Sequence, residues 1–369
     1  MNCSATTATD SLASEVASVE SPGPGAARPL VRPSLFPARL TPQRRHATRP
    51  PEQQECVVLV GRPADPEFAA LASLLRVQRI PVLRIDSDGR GVLPESVGVT
   101  GHFTAAGGPV RPTACWSRGA VPGIVSTPAD VLRAESWQAL LGQVTSLTPS
   151  SVPGPEPGIL QQLADAQRLG IRTPRTVIAA DPRSAADIPG AGQLMVKTLA
   201  GHFIEGPAGR TYAVFPAMAT RADIASRASS RTPVILQEYI PHLAEYRVYY
   251  VDGQLYGFDV RKEYPAALWE DPVAVTVRTV PVSREAAGVV HALASAWKAR
   301  YAAFDLLQVT NGIVFLEANY DGDWRWFEAR AATRVVSVAA AVMMAGLHLA
   351  AGGQILPDQG FDLLSFLTG

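Results

Sequence analysis

Two apolar runs near the C-terminus, AAFDLLQV and IVFLEAN, are joined by Thr310-Asn311-Gly312. Asn-Gly between such runs is the strongest short-range hairpin signal, because both residues accept the positive φ that a tight, correctly twisted turn demands. A hairpin here gathers three oxygen-bearing side chains: Asp305 on the first run, and Glu317 and Asn319 on the second. Side chains alternate faces along a strand, so Glu317 and Asn319 share a side, and Asp305 can face them across the turn. Charge on a strand that is otherwise apolar is costly unless it meets a cation or a partner. Two carboxylates and an amide oxygen suit Mg²⁺, a hard cation that takes a few protein oxygens and completes its shell with water and phosphate. The competing reading makes Asp305 the end of an edge strand and Glu317 a solvated face residue.

The chain of 369 residues is 47% hydrophobic and 18% charged, with 33 basic and 33 acidic side chains. That length allows two or three domains with sizeable cores. The balanced charge gives no electrostatic case for nucleic acid or membrane as a partner. Cys3, Cys56 and Cys115 are widely spaced and form no metal-ligand pattern, so they read as free thiols in a reducing compartment, by default the cytoplasm. The N-terminus lacks the basic start and continuous apolar core of a secretory signal. The most apolar run, residues 335–351, falls short of the roughly 20 residues that span a bilayer and reads as a buried helix.

Residues 1–52 are rich in Ser, Ala, Pro and Arg without sustained periodicity, and are expected to form a disordered leader. At Glu55 the character changes. CVVLVG, PEFAALASLLRVQ and IPVLRID alternate as strand, helix and strand, the pattern of a parallel βαβ unit, within a small α/β domain over 53–150. SSVPGPEPG has the Pro and Gly density of an interdomain connection. Beyond it, GILQQLADAQRLGI reads as an amphipathic helix. TPRTVIAA, GQLMVKTL and PVILQEYI read as strands, and FIEGPAGRTYAVFP as a hairpin. EYRVYYVDGQLYGFDVRK alternates faces about an Asp252-Gly253 turn. A helix is expected over 283–299 and a last one from about residue 329 to 350. The larger part is therefore α+β, divided at 151–235 and 236–369, with antiparallel hairpins between helices.

Other positions carry chemistry. Lys197, in LMVKTLAGHFIEG, sits at a strand end before a loop containing Gly201, Gly206 and Gly209. A lysine aimed at phosphate, with backbone N–H groups closing over the anion, is a recurring solution to nucleotide binding. The alternative is a lysine snorkelling from a strand end beside an ordinary turn. Gln237-Glu238-Tyr239-Ile240 ends a strand broken by Pro241, where an apolar slot and backbone groups could take an adenine. Glu245 and Arg247 share a face of the next strand and could serve ribose hydroxyls and phosphate; the alternative is an intrastrand ion pair. Arg261 and Lys262 add positive charge to the same sheet. Trp324 and Trp326 share a face if DGDWRWFEAR is extended, and wall a pocket or pack in the core.

The order of these pieces resembles the ATP-grasp superfamily, in particular its RimK-like ligase branch. The matching segments are MVKTLAG, VILQEYI followed by EYRVYYVDG, and FDLL followed by LEAN. Within that branch the run from Asn319 to Glu328, NYDGDWRWFE, is similar to the Asn-Pro-x-Gly-x-Trp-x-Trp-x-Glu signature of the ATP-grasp ribosomal peptide maturases that macrocyclise microviridin-type peptides, the graspetides. GILQQLADAQRLGIRTPRTVIAADP also resembles the opening of their central domain. The chain departs from the maturases at Ile159, where they have a lysine, at LWEDP over residues 268–272, and at Tyr320, where they have proline.

The resemblance implies a small N-terminal α/β domain followed by central and C-terminal ATP-grasp domains with antiparallel sheets and the nucleotide between them. It implies ATP as cofactor, with Mg²⁺ or Mn²⁺ held by Asp305, Glu317 and Asn319. ATP would be bound by Lys197, Gln237, Glu238, Tyr239, Ile240, Glu245 and Arg247, and Arg247 and Arg261 would act in catalysis. The activity implied is ATP-dependent ligation through an acyl phosphate, making ester or amide linkages in a ribosomal precursor peptide; the partners are that peptide, or another carboxylate, and an amine or hydroxyl nucleophile. A homodimer is the default assembly. A ligase joining an amino acid or amine to a carboxylate is the second reading, and a nucleotide-binding module that has lost catalysis, motivated by Ile159, is the third.

Overall fold

The computed structural model describes residues 54–357 apart from 63–64, 87–92, 106–107, 119–126, 182–191, 200–202, 206–210, 227–231 and 265–266. The expected leader at 1–52 lies outside the described residues.

The described chain opens with β1 (Gln54–Gly61), α1 (Pro66–Val77) and β2 (Val82–Asp86), the βαβ unit expected from the apolar runs, and β1 and β2 pair in parallel. Asp65 caps α1 by accepting from Phe68 N at 2.9 Å, and Pro66 follows it, a residue that needs no N–H partner in a first turn. Next come β3 (Ser96–Val97), β4 (Phe103–Ala105), β5 (Gly108–Ser117), α2 (Pro128–Leu147) and β6 (Ser151–Val152). The sheet runs β2-β1-β5-β4-β3, with β6 on β5. The β1–β5 pair is parallel, and β3, β4 and β5 are antiparallel.

After the Pro-Gly connection come α3 (Ile159–Arg168), β7 (Thr176–Ala179), β8 (Leu194–Thr198), β9 (Phe203–Glu205), β10 (Thr211–Ala213), β11 (Ala217–Ala219), α4 (Arg221–Ser226) and β12 (Val234–Glu238). Here β11-β8-β12-β7 form an antiparallel four-stranded sheet, and β9 and β10 pair as the expected hairpin. The apolar face of α3, however, does not join this sheet. Leu163 and Ala166 pack in the core that lies under the next one.

That next sheet is built from β13 (Ala244–Val251), β14 (Gln254–Lys262), β15 (Val275–Val280), β16 (Tyr301–Val309) and β17 (Gly312–Asn319), in the order β15-β14-β13-β16-β17 and antiparallel throughout. The short α5 (Ala267–Glu270) precedes β15, and α6 (Arg284–Trp297) separates β15 from β16. Asp252 and Gly253 both take positive φ, 44° and 93°, as the β13–β14 turn requires. The turn between β16 and β17 is Thr310-Asn311, because Val309 pairs with Gly312, which takes φ 115° as the first residue of β17.

One face of this sheet packs on α3 and α6 through Val248, Ala302, Phe304, Leu306 and Phe315. On the other face, Tyr249, Val251, Phe258 and Tyr301 join a core shared with the first sheet and its helix.

The chain closes with α7 (Arg325–Arg330) and α8 (Val335–Ala350). Sequence periodicity predicts one helix from about residue 329 to 350. Instead the helix is interrupted, with Ala332 at φ 49°, and Arg325 and Trp326 are helical. Among the described residues no helix is long and apolar enough to cross a membrane.

Candidate active site

Arg247, Asp305 and Glu317 form one row across β13, β16 and β17: Arg247 is register partner of Asp305, and Asp305 of Glu317. Directly paired residues project to the same face. Asn319 lies one step along, opposite Ala303, and its Nδ2 donates to Asp305 Oδ2 at 3.0 Å. The expected trio is therefore together.

A β-bulge makes this possible. Asp305 pairs with Glu317 while Leu306 pairs with Phe315, so Leu316 is an extra residue on β17. Strict alternation would place Glu317 with Phe315, in the core under α6. Taking up Leu316 as a bulge resets the alternation after Phe315 and leaves Glu317 and Asn319 on the open face.

The carboxylates are closely matched by cations. Arg247 Nη1 donates to both Asp305 oxygens, at 2.9 and 2.7 Å. Lys197, on β8 of the four-stranded sheet, reaches across to Glu317 Oε2 at 3.1 Å. The two sheets thus meet at this cluster. Burial pushes the Asp305 carboxyl above its ordinary range, Arg247 opposes this, and the neighbouring Glu317 adds to it. Glu245, two residues before Arg247 and on the same face, accepts from Lys262 Nζ at 2.6 Å.

Arg261 is not brought to this face. Its neighbour Lys262 is, whereas Arg261 points to the opposite side, 70% exposed, with Nε on Asp259 Oδ2 at 2.8 Å. The alternation of β14 allows one of the two on the site face, and Lys262 takes it.

The segment 237–240 is divided in its roles. Gln237 is buried, with Nε2 on Thr176 Oγ1 at 3.1 Å, and Glu238 is held by Arg175 at 2.8 and 3.0 Å. Backbone N–H groups of Glu238 and Tyr239 donate to Arg175 and Gln193 carbonyls, at 2.8 and 3.0 Å. Ile240 alone of the four packs with Leu307, Val309, Val314 and Leu316, an apolar patch beside Asp305 and Glu317. That patch offers the flat apolar surface a base would need.

The residues gathered at this junction fit a metal and a phosphate chain. Among the described residues no group of three or more His, Cys, Asp or Glu has metal-site geometry. Asp305, Glu317 and Asn319 supply instead the small hard-oxygen set of a cation that keeps most of its shell for water and phosphate. Arg247 Nε is buried and has no partner, so the guanidinium retains a donor that a phosphate oxygen would satisfy.

The strand's continuation is stapled to the first sheet. Tyr249 and Tyr301 donate their hydroxyls to the carbonyls of Asp323 and Gly322. Arg118, at the end of β5, donates to the Asp321 carbonyl and Asp323 carboxylate and lies 3.3 Å from Glu67. Glu67 on α1 accepts from the N–H groups of Trp324 and Arg325 at 3.2 and 3.0 Å, capping α7 from a distant part of the chain. Trp324 is fully buried against Trp116 and Tyr301 at 5.5 Å each, with Nε1 donating to Ser337 Oγ at 3.0 Å. Such ring pairs add about 0.5–1.5 kcal/mol each beyond area burial. Glu328 accepts from Ser337 N and Oγ at 2.8 and 2.6 Å. The Trp-x-Trp-x-Glu run is thus a packing device: Trp324 faces no pocket, and Trp326 stacks under Arg330 at 4.9 Å.

Sequence reasoning passed over Gln162. It lies on the apolar side of α3 beside Leu163, and a polar residue in the apolar stripe of an amphipathic helix was the available signal.

No family model matches the chain, and no curated protein matches it in sequence. Solved structures match closely in fold. The ATP-grasp ligase PsnB, complexed with a phosphomimetic variant of minimal precursor, Mg and ADP, superposes with a TM-score of 0.63 at 18% identity, over 80% of this chain and 99% of that one. The macrocyclase MdnC from Microcystis aeruginosa MRC, bound with precursor peptide MdnA, gives 0.64 at 19% identity, over 79% and 99%. A Chryseobacterium gregarium RiPP-associated ATP-grasp ligase, in complex with ADP and a leader and core peptide, gives 0.64 at 16% identity, over 80% and 97%. The α/β sheet, the four-stranded sheet and the five-stranded sheet that carries the Arg247–Asp305–Glu317 row are together an ATP-grasp fold.

Proposed function

We propose that this protein is an ATP- and Mg²⁺-dependent carboxylate ligase that forms ester or amide linkages in a ribosomal precursor peptide. The observation that carries the reading is the junction of two sheets at Lys197 and Glu317, with Arg247, Asp305 and Asn319 beside it, in a fold shared with ligases whose structures hold precursor peptides, Mg and ADP.

When bound, Mg·ATP supplies the phosphoryl group that converts a substrate carboxylate into an acyl phosphate open to attack by an amine or hydroxyl. Asp305, Glu317 and Asn319 would hold the cation. Lys197 and Arg247, now paired with Glu317 and Asp305, would turn toward phosphate oxygens and offset their charge. Glu245 would take ribose hydroxyls, with Lys262 orienting it. Ile240 and the apolar patch behind it would seat the base. Closure of the two sheets over the reactants excludes water, which would otherwise hydrolyse the activated carboxylate. Arg261, on the far side of β14, has no part in this scheme. The assembly expected is a homodimer in the cytoplasm.

Incubation with ATP, Mg²⁺ and a precursor peptide should produce ADP and a peptide lighter by one water per linkage. The buried position of Trp324 keeps a second reading in view, because that side chain offers nothing to a peptide: a ligase that joins a free amino acid or amine to a carboxylate. A peptide heavier by one amino acid residue would decide for it. Asp305→Ala and Glu317→Ala should each abolish ADP production, and wild-type rates in either would refute the metal assignment.

A further inference from the structure

β17 is the outer strand of its sheet, so the backbone groups on its open side have no ladder partner of their own. They are met from α3 and the segment after it. Gln162 is 4% exposed, and its side-chain amide closes on a single residue: Ala318 N donates to Oε1 at 2.8 Å, and Nε2 donates to the Ala318 carbonyl at 3.0 Å. A third bond, from Nε2 to the Pro157 carbonyl at 2.9 Å, uses the remaining amide hydrogen. The amide is thus fully committed and cannot turn. On the other side of the bulge, Phe315 N donates to the Arg172 carbonyl at 2.9 Å. The extra residue Leu316 is held between two fixed points.

Ala318 stands between Glu317 and Asn319. A rotation of its peptide planes would re-aim both side chains, and the two bonds from Gln162 oppose that rotation. The arrangement imitates a neighbouring strand at the one place where the bulge has loosened the ladder.

We propose that Gln162 is a positioning residue for the cation: it touches none of the reacting groups, and it fixes the backbone from which Glu317 and Asn319 present their oxygens. This inference rests on the Mg·nucleotide reading of the site. Partners that orient metal ligands typically alter metal affinity or activity by about 10- to 100-fold when removed.

The test uses the full chain with Gln162→Met, which keeps length and loses the hydrogen bonds, and Gln162→Asn, which keeps the amide and shortens its reach. ADP binding is measured by calorimetry across a Mg²⁺ series, alongside thermal melting. Both variants should need about 10-fold more Mg²⁺ for half-maximal ADP binding, with the ADP affinity at saturating Mg²⁺ unchanged. A purely structural role would lower the melting temperature and leave the Mg²⁺ requirement where it was, which would overturn the proposal. Should the Met variant fail to fold, the Asn variant decides alone. If wild type binds ADP equally with and without Mg²⁺, the metal reading itself falls; if wild type needs Mg²⁺ and the variants need no more of it, only the role of Gln162 falls.

Discussion

Gly322 lies so close under Arg247 that a Cβ on it would stand 2.7 Å from Arg247 Nη2 and 2.6 Å from the Ala303 Cβ. The loop after β17 therefore forms one wall of the guanidinium's seat, and that wall has no room for a side chain. Gly322→Ala should push Arg247 out of line with Asp305. Overpacking of this kind costs about 1–3 kcal/mol. A urea melt should show that loss, and ADP production should fall further than the stability change explains. Wild-type activity would mean that the position of Arg247 is not critical.

Removing the guanidinium itself leaves Asp305 beside Glu317 with its nearest cation gone. Stripping one partner from a buried pair costs about 3–5 kcal/mol, because the other charge stays behind unpaired. Asp305 is 19% exposed, so Arg247→Met is placed at the lower end, about 3 kcal/mol. The double variant Arg247→Met with Asp305→Asn should recover much of the stability and none of the activity. Failure to recover would show that Arg247 stabilises mainly by packing on Tyr249 and Phe327, which its guanidinium covers at 5.6 and 5.4 Å.

The parts of this site legible in the sequence are those governed by local rules. Asn311-Gly312 and Asp252-Gly253 announced their hairpins, and period-two alternation placed Glu245 with Arg247 and Glu317 with Asn319. What alternation alone could not supply was absolute facing. Arg261 and Lys262 are neighbours on β14, and only the register with β13 decides that Lys262 meets Glu245. The bulge at Leu316 was equally hidden, since nothing in VFLEAN distinguishes it from an unbroken strand. The sequence left Trp324 open between pocket wall and core, because its burial depends on Trp116 and Tyr301, which are distant in sequence.

Glu67 offers a pH test of the staple between α1 and α7. Burial pushes its carboxyl above the ordinary range, Arg118 opposes this, and Asp323 adds to it. With the folded value raised, the native state holds the proton more tightly than the unfolded chain does. Stability therefore falls as pH rises from the unfolded value of about 4.3 to the raised one. Glu67→Gln keeps an oxygen acceptor for Trp324 and Arg325 and cannot titrate. Chemical denaturation from about pH 4 to 7 should show the variant gaining on wild type as pH rises, then a constant difference. A gain in the opposite direction would mean that Arg118 outweighs burial at this site.

The bulge permits the sharpest structural test. Deleting Leu316 removes the extra residue, so that Glu317 follows Phe315 directly, pairs with Asp305 in an unbroken ladder and stays on the open face with Asn319. Lys197 and Arg247 remain within its reach. The deletion should therefore keep Mg²⁺-dependent ADP binding and cost about 2–3 kcal/mol for the lost side chain and the lost local twist. Leu316→Ala keeps the extra residue and loses only part of a half-buried side chain, about 1–2 kcal/mol, with ADP binding retained. The contrast separates the bulge from side-chain packing. If the deletion variant lost Mg·ADP binding while Leu316→Ala kept it, the bend that the bulge gives β17, and not the facing of Glu317 and Asn319 alone, would be what sets the cation site.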